Sequence, residues 1–132
     1  MEISLTKPHL ISWLAIPILI LIGLLFRHHT LDVQLYDTYF VIANLHFALA
    51  GSALLLVIGM GYWLIGLSGK TPNLLLTLIH LSLTIGVLVV VALPLFTTNS
   101  LAGTEWLFLM IMAFLLAQCA YTINIIITLL LK

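Results

Sequence analysis

Long apolar stretches separated by small charged clusters set the organisation of this chain. Its charged residues are Glu2, Lys7, Arg27, Asp32, Asp37, Lys70, Glu105 and Lys132. The intervals between the clusters approach or exceed the ~20 apolar residues that a bilayer-spanning helix needs. The pattern predicts four helices, near 9–27, 38–67, 73–97 and 104–131. Leucine and β-branched runs without period-2 alternation argue against a transmembrane barrel, and a bilayer admits only helices or closed barrels. The expected fold class is all-α, an integral membrane four-helix bundle. Residues 1–132 are expected to form one domain, because only the 27–37 connection is long and no repeat or linker is visible.

Prolines punctuate these spans. Pro8 and Pro72 suit helix starts, Pro94 falls near the far end of the third span, and Pro17 inside the first predicts a bend. The first span is read as part of the mature chain, since no small-residue cleavage site follows it and Phe26-Arg27-His28 is a poor substitute.

Composition agrees with the pattern. The chain is 64% hydrophobic and 6% charged, against roughly 45–50% and about 25% in soluble domains. No nucleic-acid partner is expected. Lys7, Lys70 and Lys132 fall with Glu2 on one side of the bilayer, whereas Arg27, Asp32, Asp37 and Glu105 fall on the other. The positive-inside rule then predicts cytoplasmic N and C termini.

The candidate chemistry begins with Leu31–His46, which carries a histidine into a charge-free span. An ionisable residue there is a functional hypothesis by default. With a helix from residue 38, His46 lies about two turns inside, roughly 12–14 Å below Asp37. It then shares a face with Tyr39, Ile42, Ala43, Leu49, Ala50 and Ala53. The low relief of the alanines suits a flat porphyrin edge or a close helix–helix contact, and a neutral histidine hydrogen-bonded across helices is the plainer alternative. His80 lies about two turns from the opposite membrane side, a poor partner for His46. Thr77, His80 and Thr84 share a face that reads as a buried polar seam, and Gln118, Tyr121 and Thr122 read as protein-facing hydrogen-bond groups. Arg27, His28 and His29 sit where the first span ends.

The runs Asp37-Thr38-Tyr39, Val41-Ile42-Ala43 and Asn44-Leu45-His46 resemble the start of the tenth helix of haem–copper oxidase subunit I, the catalytic subunit of cytochrome c and quinol oxidases. There the pattern is His-X-His, the first holding the oxygen-reducing haem and the second an axial ligand of the low-spin haem. Trp63 with Ser68-Gly69 is similar to the end of that helix, and Ile79-His80 and Pro94-Leu95-Phe96 to the start and end of the eleventh. The chain thus resembles the last four of the family's twelve helices.

The resemblance implies a specific set of losses and retentions. Asn44 stands where the first histidine would be, and the copper ligands of the family's middle arc have no counterpart, so this chain alone is not a complete oxidase. Tyr36 replaces the histidine of the family's outer magnesium site, leaving Asp37. His46 keeps the role of axial ligand to haem iron, with Tyr39, Ala43 and Ala50 on the surrounding face. The family's adjacent arginines after its eleventh helix have no counterpart in Thr97–Gly103, and Arg27, with His28 and His29, is the substitute basic rim on the side where the family directs its haem propionates. The haem would be a non-covalent haem b, since the single cysteine, Cys119, excludes a Cys-X-X-Cys-His attachment. The sixth ligand would be His46 of a second copy in an isologous homodimer, a trimer being the alternative. The expected function is electron transfer in the respiratory chain, with quinol or a respiratory complex as partners and the bacterial inner membrane as location. The alternatives are a five-coordinate gas-binding or gas-sensing haem protein and a cofactor-free accessory or assembly subunit.

Overall fold

Each long apolar interval forms a helix in the computed structural model, which describes residues 7–95 and 102–131. The helices are α1 (Pro8–Leu25), α2 (Asn44–Leu67), α3 (Leu74–Ala92) and α4 (Ala102–Leu131). Among the described residues all four contain a stretch long and apolar enough to cross a membrane. The protein is a helical integral membrane protein, with four candidate spans among the described residues. Glu2, Lys132 and most of the expected Thr97–Gly103 turn lie outside the described residues.

Local chemistry sets the helix ends. Pro8 opens α1, where its missing N–H costs nothing, and the helix then runs through Pro17 to Leu25. Asn73 starts α3 by accepting hydrogen bonds from the Leu75 and Leu76 amides at 3.0 and 3.4 Å. The same helix stops at Ala92, short of the expected residue 97. Leu93, held extended (φ −79°, ψ 138°), precedes Pro94, whose ring disfavours helical geometry in the residue before it.

The largest departure from the sequence reading is the start of the second span. Residues 38–43 are strand, not helix. β1 (Thr30–Leu35) and β2 (Thr38–Ala43) pair antiparallel, with Leu31 opposite Ile42, Val33 opposite Phe40 and Gln34 opposite Tyr39. Leu31, Val33 and Leu35 alternate with Asp32 and Gln34, as a half-buried strand requires, and β2 is rich in aromatic and β-branched residues that favour pleated backbone. The turn forces Tyr36 to φ 53°, in the left-handed region. Leu31, Val33 and Ile42 roof an apolar cavity of about 300 Å³ whose walls include Phe47, Val91 and Leu107.

Packing is uneven. α1 lies most extensively against α2, α3 against α4, and α4 meets α2 only locally. The α1–α2 approach depends on small residues: a Cβ at Gly23 would lie 2.5 Å from the Ala48 Cβ, and one at Gly59 would collide with the Trp13 indole. Between these contacts Ser12 Oγ donates to the Leu55 carbonyl at 2.7 Å. Leu19, Ala48, Leu55, Leu88 and Ala92 form one buried cluster, and Ile58, Tyr62 and Leu81 a second.

Gly59→Ala is therefore expected to destabilise the protein by about 1–3 kcal/mol, since the indole must move. Gly86→Ala, with open space around the added methyl, is expected to be neutral or slightly stabilising. Thermal unfolding of the two variants in detergent checks the contrast.

Candidate functional site

Two polar groupings occupy opposite ends of the bundle. At the end near Lys70, the buried hydroxyl of Tyr62 on α2 lies 2.9 Å from Nδ1 of the fully buried His80 on α3. The rings of Tyr62, His80 and Tyr121 pack with centroids 4.7–5.8 Å apart. Asn124 Nδ2 donates to Thr77 Oγ1 at 2.8 Å, and Asn124 Oδ1 accepts from the Asn73 amide at 2.9 Å. Gln118 donates to Thr84 Oγ1 at 3.1 Å. The polar seam expected at Thr77, His80 and Thr84 is thus present, and Gln118 and Tyr121 face protein as expected. Thr122 does not: it is exposed and donates to the Gln118 carbonyl of its own helix. Among the described residues nothing accepts from or donates to His80 Nε2.

At the hairpin end, His46 lies in the first turn of α2, not two turns inside it, because the helix begins only at Asn44. Its side chain is exposed, as are Leu49, Ala50 and Ala53, so these four form an outward face on α2. Tyr39, Ile42 and Ala43 do not continue that face as helix; all three belong to β2. The nearby Asp32 carboxylate, as hydrogen-bond acceptor, holds the Tyr39 phenol above its usual pKa, with slight desolvation and the carboxylate's charge acting in the same direction.

The basic group at the end of α1 sits beside the start of α2. The Asn44 amide donates to the His29 carbonyl at 3.1 Å. Arg27 Nε lies 3.4 Å from His28 Nε2, and the Phe26 and His29 rings meet edge to face at 6.0 Å. Arg27, His28 and His29 are all exposed. The fold therefore brings these residues to the same end as His46.

Asn44 is the buried member of this end. Its Nδ2 donates to the Ala92 carbonyl at 2.8 Å and reaches the Phe26 carbonyl at 3.4 Å, linking the start of α2 to the ends of α1 and α3. An amide with two donors suits two C-terminal carbonyls that lack helical partners.

His46 and His80 are far apart. His80 is level with Tyr62, and Tyr62 lies about 24 Å along α2 from His46 at 1.5 Å per residue. One imidazole pair cannot span that distance around a single metal ion.

No family model matches the chain, and no solved structure matches it. Tyr62 and Asn44 are the polar groups that sequence reasoning undervalued. A tyrosine deep in a span needs a hydrogen-bond partner, and His80 is the imidazole that the antiparallel α2–α3 connection can bring level with it. An asparagine at a span's first residue falls where neighbouring helix ends expose carbonyls.

Asn44→Leu removes both donors and is expected to lower stability by about 1–3 kcal/mol, chiefly through the orphaned Ala92 carbonyl, since the Phe26 carbonyl still accepts from the His29 amide at 3.0 Å. Thr122→Val, whose hydroxyl bonds only within α4, is expected to leave it nearly unchanged. Unfolding of each variant in detergent provides the comparison.

Proposed function

We propose that this protein is a membrane haem b protein in which His46 from each of two chains fills an axial position on one low-spin haem, and that it transfers electrons. The observation that carries the reading is the His46 imidazole. It is exposed on a membrane-spanning helix, and among the described residues no hydrogen bond engages it. A neutral imidazole at the edge of the hydrocarbon region loses water and gains nothing unless a partner or a metal satisfies its ring nitrogens.

The surrounding residues fit such a group. Ala50 and Ala53 leave the α2 face low beside His46, and Arg27, His28 and His29 stand at the same end, where a guanidinium and imidazoles would pair with carboxylates. Haem bound there would supply one-electron exchange. The chain's own part is to present His46 on a fixed helix and keep its surroundings apolar. The Asn44 clamp holds the first turn of α2 against α1 and α3, and so fixes where the imidazole projects. Ala43 ends β2 directly before the helix that carries His46, whereas Tyr39 lies four residues further along the strand, paired with Gln34 beside the hairpin turn and away from the site.

Two filled axial positions leave none for oxygen, which favours electron transfer over oxygen chemistry. Quinol or a respiratory complex is the proposed partner. Lys7 and Lys70 share one cleft at the end opposite the hairpin, which supports placing that end in the cytoplasm of a bacterial inner membrane by the positive-inside rule.

The protein purified in detergent after expression with haem supplied is expected to show a low-spin haem b spectrum, unchanged by carbon monoxide, near one haem per two chains. His46→Ala is expected to abolish haem retention. His80→Leu, at the opposite end, is expected to lower stability through the lost Tyr62 contact but to keep most of the haem in the protein that folds. A spectrum that shifts with carbon monoxide would replace the His46 pair with a five-coordinate site, and the absence of haem from wild-type protein would refute the reading.

A further inference from the structure

The end of the bundle remote from His46 holds a second cleft, of about 430 Å³, between the start of α1, the end of α2 and the loop to α3. Lys7, His9 and Lys70 line it together with Tyr62, Trp63 and Gly69. The whole chain has only four lysine and arginine residues, and two of them face this one cleft. Among the described residues no aspartate or glutamate lines it. Two ammonium groups on one small concave surface repel each other unless an anion lies between them.

The cleft is also placed at a defined height. Spans begin at Pro8 and Leu74 and end at Leu67, so its mouth lies where hydrocarbon gives way to headgroups. Trp63, 42% exposed, is the amphipathic ring such a level favours. Lys70 is held in place, its Nζ donating to the Leu129 carbonyl near the end of α4 at 2.7 Å, whereas the Lys7 side chain is exposed and free to reach. Pro8, Leu67 and Pro72 supply an apolar wall beside the cations. A free inorganic anion would gain nothing from that wall, but a headgroup carrying acyl chains would.

We propose that this cleft binds the phosphate of an anionic phospholipid, with Lys7 and Lys70 as its cationic contacts and Trp63 against the glycerol and first chain carbons. Basic pockets between membrane helices recognise lipid headgroups by this combination of charge and interfacial depth. The site is independent of the haem proposal, since it lies at the other end of α2.

The test is native mass spectrometry of the detergent-purified protein titrated with dioleoyl-phosphatidylglycerol or dioleoyl-phosphatidylcholine. Wild-type protein is expected to retain the phosphatidylglycerol preferentially. Lys7→Gln, which removes no hydrogen bond of the fold, is expected to weaken that retention about 5-fold, and Lys7→Gln with Lys70→Gln about 25-fold. The paired arginine replacements should restore it. Equal retention of the two lipids by wild-type protein, or unchanged preference in the double glutamine variant with unaltered thermal unfolding, would overturn the proposal. Displacement of the phosphatidylglycerol by millimolar inorganic phosphate would overturn the lipid as the source of the anion.

Discussion

The hydrogen bond between Tyr62 and His80 is the contact on which the arrangement of this bundle turns. Lipid is as apolar as leucine, so hydrophobic burial does little to choose which helix faces touch. Polar side chains inside the spans do choose, because leaving them in hydrocarbon is costly. Tyr62 joins α2 to α3, Asn124 joins α4 to the start of α3, and Tyr121 rests against Gly61 and the Ile58 carbonyl of α2. Three spans are thereby tied at one end, and Ser12 ties the fourth through the Leu55 carbonyl.

The opposite end is built differently. An apolar cavity lies beneath the hairpin there, and among the described residues the buried polar clamp is Asn44 with the carbonyls of Phe26 and Ala92. One end of the molecule is locked by side-chain hydrogen bonds, while the other presents His46 outward. The division gives the two histidines different work: His80 is consumed in structure and His46 is available.

Much of this was legible in the sequence. The four spans follow from charge spacing, and the seam on α3 from Thr77, His80 and Thr84 falling at helical intervals. The hairpin was obscured by its own composition, because Tyr39–Ile42 is a continuous apolar run that merges with the span behind it. The alternation at Leu31–Leu35 was the signal that separates them. Misplacing the start of α2 then carried His46 a turn too deep and put Tyr39 and Ala43 on its face. The polar partners were harder still, since a single chain does not say that Tyr62 meets His80 or that Asn44 reaches two helix ends; those pairings depend on how helices rotate against one another.

The central functional claim is that two His46 imidazoles share one iron. Electron paramagnetic resonance of the oxidised, haem-loaded protein tests it most directly. The expected result is a low-spin ferric signal of bis-imidazole type from all the iron, at one iron per two chains. A high-spin ferric signal, or a bis-imidazole signal that survives replacement of His46, would contradict it.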